Sequence, residues 1–396
     1  MKIGLNAKII RLVTVTIISG ASFVFYHWSN PNPPDWYKHF VYLAQAFLEG
    51  RLDLQSVPGF YQDLVTVNGK MYMPFPPLPA VLMMPAVAIW GTAASQVTVS
   101  KLVGAINVGL MWLVLNKLKI DRKLQWWLTI FFGFGTVHWY AAQMGTTWFF
   151  AHVVAVMFIL IALGLFFYDR SSLLIGLAVG AAVLARHPTI GAAVFFGLMW
   201  WKDRQKLLSF GVGVMIMLGI LGVYNWARFG NVFEEGYGAV AEQYRQGGYP
   251  YTVLLEYFPN APRFGYLDIR NIPLHLYTML VIPPEVSGGE VKPSAYGMSA
   301  LLVSPLLLIL IGKPWREKRL WQASWAAIGV TSIPILLHFT QGWVQFGYRF
   351  MLDFIPLVMI ILAVRLKKVT LPVILLTLVS IGVNWWGVEW AKRLGW

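Results

Sequence analysis

The sequence predicts an all-α polytopic membrane protein with about 11 to 12 transmembrane helices and further helices lying on its outer face. Hydrophobic residues make up 58% of the 396-residue chain and charged residues only 12%, whereas about 25% of a soluble globular domain is charged. Apolar runs of roughly 18 to 22 residues recur along the whole chain, as they do in proteins built from membrane-spanning helices.

The basic residues support this fold class. The formal net charge is +14, but 18 of the 31 Lys and Arg residues stand in short clusters at the ends of the apolar runs. Such clusters are typical of cytoplasmic loops, so the basic excess indicates topology and contact with anionic lipids, not nucleic acid. The clusters are Lys2/Lys8/Arg11, Lys117/Lys119/Arg122/Lys123, Arg170, Lys202/Arg204/Lys206, Lys313/Arg316/Lys318/Arg319 and Arg365/Lys367/Lys368. The chain has no cysteine, which excludes disulfides, thiolate metal sites and cysteine nucleophiles.

The first apolar run, residues 9–27, follows a basic N-terminus and is expected to run from the cytoplasm to the outer face. A cleaved signal peptide is the rival interpretation, and the lack of a clear A-x-A cleavage site favours a retained anchor. Residues 29–79 then form a first outer loop, which holds four of the 17 carboxylates: Asp35, Glu49, Asp53 and Asp63.

Two elements are predicted within this loop. Residues 36–50 place apolar side chains on one face and polar ones on the other, which predicts a short helix lying on the membrane surface, with Asp35 as its N-cap and Gly50 as its end. Residues 64–73 alternate around Asn68-Gly69, which predicts a small hairpin. The proline-rich stretch 76–79 is expected to open the next helix.

Further membrane segments are expected at 78–92, 98–116, 124–141, 148–168, 172–186, 189–201, 207–227, 299–312, 320–338, 350–364 and 369–388. Two full crossings between residues 79 and 117 would place the basic cluster 117–123 outside. Either one of those two segments does not cross fully, or the pair of segments around Arg186-His187-Pro188 is one kinked span and several loops change sides. The chain is expected to form a single membrane unit, residues 1–396, whose C-terminus lies outside.

Two more polar stretches are expected on the outer face. Residues 228–298 form a second large loop, in which 268–281 is a candidate interfacial helix interrupted by Pro273. Residues 340–353 place Arg349 and Asp353 at the mouth of a helix. Among the ionisable and polar residues that the second loop carries are Glu234, Glu235, Tyr237, Glu242, Arg245, Glu256, Arg263, Asp268, Arg270 and His275.

Two carboxylates of the first loop are candidate catalytic groups. Asp35 follows the first helix, and Asp63 precedes the second by about a dozen residues, so either could act at the rim of the membrane as a general base on an acceptor hydroxyl. The second acid could orient the acceptor, bind a cation with the first or set its pKa. The alternative for Asp35 is a helix cap, because Pro-Pro-Asp-Trp also starts helices.

Three cationic positions are candidates for binding phosphate. Arg186 and His187 interrupt an apolar run, as residues lining a cavity do; the alternative is that they belong to a loop between two helices. Arg349 could hold a phosphate bidentately, or pair with Asp353 four residues on. Lys70 at the hairpin tip could meet a phosphate at the membrane surface, or be a solvated turn residue. His138 and His152, near aromatic membrane ends, are interpreted as packing residues.

Several common kinds of site are excluded because their sequence motifs are absent. The chain contains no phosphate loop, dinucleotide fingerprint, HExxH or nucleophile elbow. Without a soluble nucleotide-binding fold, an activated nucleotide is an unsuitable donor. A lipid-borne substrate that enters sideways from the bilayer fits the expected architecture better.

The order of elements resembles the C-fold (GT-C) membrane glycosyltransferases, in particular the small bacterial members akin to protein O-mannosyltransferases and lipid A aminoarabinose transferases. The resemblance rests on an outer loop with Asp35 after one helix, then AFLEGRLDL at 46–54, DLV at 63–65 and NGKMYMPFPPLP at 68–79. Later pieces agree: LARHP at 184–188, FGN at 229–231, EGY at 235–237 and GWVQFGYRF at 342–350. It covers most of the chain, but these motifs are loose patterns.

The resemblance implies transfer of a sugar from a polyprenyl phosphate to an acceptor hydroxyl on the outer face, with inversion at the anomeric carbon. In that scheme Asp35 is the base, Asp63 the second acid, and Lys70, Arg186 or Arg349 holds the donor phosphate. The residues expected in the acceptor and sugar pocket are His187, Glu234, Glu235, Tyr237, Gln345 and Tyr348. Two features depart from the family: Phe75 stands where many relatives have an acid, and the first acid is single.

The resemblance therefore predicts an enzyme of a bacterial inner membrane, with its active site on the periplasmic face. Its partners would be a polyprenyl-phosphate-linked sugar, membrane lipids and an acceptor glycan, lipid or protein. No cofactor is implied, and a requirement for a divalent metal is left open. The rival hypotheses are a transporter or lipid flippase, which would carry ionisable residues deep in several helices and an internal repeat, and a non-catalytic membrane scaffold.

Overall fold

The computed structural model describes residues 2–246, 264, 266–342 and 344–395, apart from the side chains of 2–7 and 244–246. Two charged residues expected in the second loop, Glu256 and Arg263, lie outside the described residues, as does the side chain of Arg245. The described chain is mostly helical, which confirms the all-α class. Its α-helices are α1 (Lys2–Ser29), α2 (His39–Leu48), α3 (Leu78–Trp90), α4 (Gln96–Lys117), α5 (Arg122–Phe134), α6 (Val137–Met144), α7 (Thr147–Phe167), α8 (Ser172–Val183), α9 (Ala193–Met199), α10 (Arg204–Phe229), α11 (Tyr237–Gln246), α12 (Ile272–Leu280), α13 (Ala300–Val303), α14 (Lys318–Leu337), α15 (Ile355–Arg365) and α16 (Leu371–Arg393).

Short 3₁₀ helices and two hairpins complete the described chain. The 3₁₀ helices are Gly91–Ala93, His187–Ala192, Ile269–Asn271, Pro305–Leu310 and Arg349–Asp353. The strands are β1 (Val65–Val67) with β2 (Lys70–Tyr72), and β3 (Glu285–Ser287) with β4 (Glu290–Lys292), each pair antiparallel.

Six of the described helices, α1, α4, α7, α10, α14 and α16, are long and apolar enough to cross a membrane. The outermost of them leave large aliphatic side chains uncovered: Leu12 on α1 is 69% exposed and Leu208 on α10 is 73% exposed. Contiguous apolar surface of this kind is stable against lipid rather than water. The chain is an integral membrane protein by these criteria.

The centre of the bundle is formed by α4 and α7. In each of them, 67% of an 18-residue apolar stretch is buried inside the protein. Around them α1 packs on α4, α8 on α7, and α10 on α8. The contact between α8 and α10 is close because small residues face each other. A Cβ at Gly176 would collide with the Phe210 carbonyl, and one at Gly180 would lie 2.5 Å from the Met217 Cβ. Small residues four apart are a common device for packing membrane helices.

Contacts among the basic clusters bring them to one end of the bundle, here called the basic end. The contacts are Lys206 with Asp169 at 3.5 Å, Arg316 with the Lys119 carbonyl at 3.0 Å and Arg319 with the Met199 carbonyl at 2.8 Å. The first loop lies at the other end, here called the loop end, where the Trp36 indole donates to the Gly395 carbonyl at 3.1 Å. The alternation of basic and polar loops in the sequence thus corresponds to two ends of one bundle.

Helix α3 begins and ends at the loop end. Its first amide, Leu78 N, donates to the Leu184 carbonyl beyond the end of α8, at 2.9 Å. Past its last turn, the Thr92 carbonyl accepts from the Lys38 ammonium, also at 2.9 Å. Of the two alternatives left open by the sequence, this geometry supports the one in which a segment between residues 79 and 117 does not cross.

The predicted hairpin is confirmed, with Val65 opposite Tyr72 and Asn68 and Gly69 both at positive φ. The surface helix differs from its prediction. It is shorter than 36–50, because α2 begins at His39 after Lys38, which provides no side-chain cap. The apolar face of α2 packs into the protein, where Phe40 and Leu43 are fully buried.

Two predicted segments are broken where local sequence stops a helix, and a third is not broken where a break is predicted. The stretch 124–141 divides into α5 and α6, because Thr136 caps a new helix by accepting from the His138 amide at 3.3 Å. The stretch 299–312 divides before Pro305, since the residue before a proline disfavours the α conformation. Pro273 was expected to interrupt an interfacial helix, but it lies in the first turn of α12, where proline is well tolerated.

Candidate functional site

A cavity of about 410 Å³ lies at the loop end of the bundle. Five separated parts of the chain form it, and its wall combines aromatic and aliphatic groups with a few charged ones. The charged or ionisable lining residues include Asp63, Arg186, His187, Glu235, Tyr237, Tyr266, His338 and Arg349. A site of this volume with few convergent polar groups is typical of small-molecule pockets.

Asp63 comes to the cavity from the turn before β1. Its backbone adopts φ +56°, a left-handed conformation that is uncommon for residues other than glycine and most accessible to Asn and Asp. The residue is only 9% exposed, and Oδ2 accepts a hydrogen bond of 2.8 Å from the Trp148 indole. The turn and the indole together hold one carboxylate oxygen in place at the cavity wall.

Arg186 enters the cavity from the unwound stretch between α8 and the next 3₁₀ helix. Its Nη2 donates to Asp353 Oδ2 at 3.0 Å and its Nε to Oδ1 at 3.3 Å, and the latter oxygen is also 2.6 Å from His152 Nδ1. Asp353 is 1% exposed. Burial raises the pKa of this carboxyl, but Arg186 and His152 outweigh that effect and hold the pKa below its ordinary value. Asp353 is therefore a buried carboxylate that holds Arg186.

Arg349 lines the same cavity from the 3₁₀ helix 349–353. Its guanidinium carbon lies 5.0 Å from the ring centroid of Phe149 and 5.4 Å from that of Phe350. Gly342 makes room for this group, because a Cβ there would lie 2.9 Å from the Arg349 Cζ. The pair expected between Arg349 and Asp353 does not form. Residues four apart on a 3₁₀ helix point in different directions, since one turn takes three residues, and Asp353 binds Arg186 and His152 instead.

His187 and Glu235 meet at the wall formed by the second loop. His187 Nδ1 lies 3.2 Å from Glu235 Oε2. Burial raises the pKa of Glu235 to about 7, while Arg228 lowers it and Glu234 raises it further. In the same lining, the Tyr237 and Tyr266 rings stack with centroids 5.3 Å apart. This wall offers a carboxyl group that exchanges a proton near neutral pH, beside aromatic surface.

Of the residues proposed from sequence, the structure brings Asp63, Arg186, His187, Glu235, Tyr237 and Arg349 together around the cavity. Asp35 is not among the lining residues. Its Oδ2 accepts a hydrogen bond from the backbone amide of Gln96 at 3.0 Å, so the carboxylate meets the N-terminus of α4 and not that of α2. Burial raises the pKa of Asp35, and Lys38 and the Gln96 amide lower it.

Lys70, Glu234, Gln345 and Tyr348 also lie away from the cavity lining. The Lys70 side chain is 61% exposed and 4.0 Å from Asp53. Glu234 is exposed, and its Oε1 accepts from the Gly236 amide at 2.7 Å. These two residues belong to the surface of their loops.

Gln345 and Tyr348 are buried supports. The side-chain amide of Gln345 donates to the backbone carbonyls of Gln341 and Tyr296, at 2.6 and 2.7 Å, and so joins two loops. The Tyr348 hydroxyl lies 2.8 Å from His275 Nδ1. Both hold the stretch that carries Arg349, without facing the cavity themselves.

Sequence reasoning missed His152, Trp148 and the role of Asp353. His152 was interpreted as packing, although a histidine inside an apolar helix far from any charged neighbour in sequence was itself a signal of a buried partner. Its partner is 201 residues away, so spacing could not identify it. Trp148 carried no signal that separates it from the chain's other tryptophans.

Among the described residues, no group of three or more His, Asp or Glu side chains is placed to hold a metal ion. Comparisons of the chain with protein-family models, with curated proteins and with solved structures found no match.

Proposed function

We propose that the chain is a membrane glycosyltransferase that moves a sugar from a polyprenyl phosphate to an acceptor hydroxyl, with inversion. One observation carries the proposal: a carboxylate, Asp63, and two guanidinium groups, Arg186 and Arg349, line one cavity at the loop end of an integral membrane protein. A base and paired cations are the groups that displacement of a phosphate from a sugar requires. A lipid-borne donor explains why they stand among apolar helices.

In the proposed reaction, Asp63 takes the proton of the acceptor hydroxyl while the hydroxyl oxygen bonds to the anomeric carbon. The bond from that carbon to the phosphate oxygen breaks, and its electron pair leaves with the phosphate. The negative charge that develops there is stabilised by Arg186 and Arg349. Attack from the face opposite the phosphate inverts the anomeric carbon. The expectation that Asp35 is the base is replaced by Asp63, because Asp63 lines the cavity.

The wall with Glu235, His187 and Tyr237 is proposed to bind the sugar or acceptor. A carboxyl and an imidazole 3.2 Å apart can accept and donate hydrogen bonds to hydroxyl groups. The stacked rings of Tyr237 and Tyr266 add flat apolar surface for the C–H face of a sugar. Polar groups that fix orientation beside aromatic surface are common in pockets for such ligands.

The proposal includes a C-fold architecture in a bacterial inner membrane, with the cavity on the periplasmic face. With α3 confined to the loop end, 11 apolar stretches would cross, five of them by shorter or broken helices. They are α1, α4, α5 with α6, α7, α8, 187–199, α10, 300–310, α14, α15 and α16. Under the positive-inside tendency the basic end faces the cytoplasm.

The test compares Asp63→Asn with Asp35→Asn in proteoliposomes supplied with polyprenyl-phosphate sugars and a mixture of acceptors. Asparagine at 63 tolerates the positive φ and can still accept from Trp148, but it cannot take a proton. We expect Asp63→Asn to lower sugar transfer by on the order of 10² to 10⁴. Asp35→Asn, the matched control, keeps an acceptor for the Gln96 amide and should leave transfer per folded molecule unchanged.

Two results would count against the proposal. Full transfer by Asp63→Asn together with loss in Asp35→Asn would return the base to Asp35. If the wild-type protein instead carried the lipid-linked sugar across the bilayer with the sugar still attached, the chain would be a flippase and not a transferase.

A further inference from the structure

Asp353 is hydrogen-bonded to Arg186 and to His152, and it is not among the residues that line the cavity. Its carboxylate receives two hydrogen bonds from the Arg186 guanidinium and one from His152. Because the carboxylate can only accept, His152 Nδ1 carries the proton and orients Oδ1. A two-point Arg–carboxylate pair of this kind fixes the plane of the guanidinium as well as its position.

Three of the residues around this contact belong to one short segment. Arg349, Phe350 and Asp353 all belong to the 3₁₀ helix Arg349–Asp353. The guanidinium carbons of Arg186 and Arg349 each lie 5.4 Å from the centroid of the Phe350 ring. Asp353 therefore ties an arginine from residue 186 to the segment that carries the second arginine, and both charges share one aromatic ring.

We propose that Asp353 is a positioning residue that holds Arg186 beside Arg349, so that the two guanidinium groups form one preformed clamp for the phosphate of a prenyl-linked ligand. Only the identity of the ligand rests on the proposed transferase function. Arg186 follows the unwound end of α8, where its long side chain would otherwise sample many rotamers. Fixing an arginine side chain in advance removes the entropy cost of ordering that side chain from the binding step.

The substitution Asp353→Asn is expected to change phosphate binding in opposite directions, depending on whether Asp353 acts through its charge or by positioning Arg186. A buried carboxylate beside a phosphate site repels the ligand, so if charge alone mattered, Asp353→Asn would tighten phosphate binding. If Asp353 acts by holding Arg186, the same substitution loosens the clamp and weakens binding. The sign of the change thus separates positioning from simple electrostatics.

The test measures the dissociation constant of farnesyl phosphate for the full-length protein in detergent micelles, with farnesol as the phosphate-free probe. The variants are Asp353→Asn, Arg186→Gln and the double variant. We expect Asp353→Asn to weaken farnesyl phosphate binding by on the order of tenfold, the range of a lost charge-assisted contact. In the Arg186→Gln background the same substitution should change nothing further, because Asp353 acts through Arg186.

Two more variants guard the interpretation. Asp268→Asn breaks a surface pair with Arg270 at 2.8 Å, neither member of which lines the cavity, and should leave binding unchanged. His152→Gln keeps both Asp353 and Arg186 but removes the imidazole that orients the carboxylate. It should weaken binding less than Asp353→Asn, and it provides the same sign of effect should Asp353→Asn fail to fold.

The outcomes test the positioning role of Asp353, the phosphate clamp and the transferase function separately. Equal or tighter binding by Asp353→Asn overturns the positioning role, and so does an effect that persists undiminished without Arg186. Wild-type binding of farnesyl phosphate no tighter than of farnesol overturns the clamp itself. Clear phosphate-dependent binding without any sugar transfer leaves the clamp supported and refutes the transferase.

Discussion

Glu235 should make the stability of the protein depend on pH. Burial raises its pKa from 4.5 to about 7, so the folded protein holds a proton on this group that the unfolded chain has already released. Below pH 4.5 the group is protonated in both states and costs nothing. As pH rises towards 7, ionising it in the folded protein becomes costly, so the free energy of unfolding falls and stays lower at higher pH.

The size of this effect follows from the two pKa values. Their difference corresponds to about 3 kcal/mol if it is fully realised. The side chain of Glu235 is 32% exposed, and solvent screens a group of that exposure, so we expect about 1 to 2 kcal/mol. Substitution by glutamine, which has nearly the same shape and no charge, should remove the cost.

The assay is equilibrium unfolding in mixed micelles at pH 4, 6, 7 and 8. Glu235→Gln should match the wild-type protein at the lowest pH and exceed its stability at pH 8. Glu290→Gln is the control, since this exposed residue of β4 lies 3.9 Å from Lys292 and is not among the groups that shift the pKa of Glu235. A Glu235→Gln protein that is less stable than wild type at pH 8 would refute the reasoning.

Two further predictions concern glycines. Gly176→Ala should lower the free energy of unfolding by about 1 to 3 kcal/mol, because the new methyl meets backbone of the facing helix; Gly219→Ala, with nothing within 4 Å, should raise it by up to about 1 kcal/mol. Equal effects of the two in the unfolding assay would contradict the close packing of α8 on α10. Gly342→Ala should displace Arg349 and weaken farnesyl phosphate binding, whereas Gly50→Ala, also at positive φ, should affect stability alone; unchanged affinity in Gly342→Ala would separate Arg349 from the clamp.

Local patterns sufficed for much of the fold. Apolar runs located the long helices, because burial in lipid requires about 20 apolar residues in succession. Asn68-Gly69 fixed the hairpin, since these residues adopt positive φ readily. The basic clusters sorted the loops into two sets, and their members meet at one end of the bundle.

Features that depend on contacts between residues far apart in the chain could not be predicted from local sequence patterns. Nothing near α3 in sequence reveals that both of its ends lie at the loop end, because its anchors are Leu184 and Lys38. Asp35 and Asp63 are similar first-loop acids in sequence, and only the turn and the Trp148 indole select Asp63 for the cavity wall.

The sequence by itself determined the class of protein, the position of its long helices and the polar stretches from which a site could be built. Tertiary structure decided which charges meet. Arg186, His152 and Asp353 are separated by up to 201 residues along the chain and come within hydrogen-bonding distance. The physical reason is that a helix or turn follows from neighbours a few residues apart, whereas a buried ion pair exists only where the packing of whole helices brings its partners together.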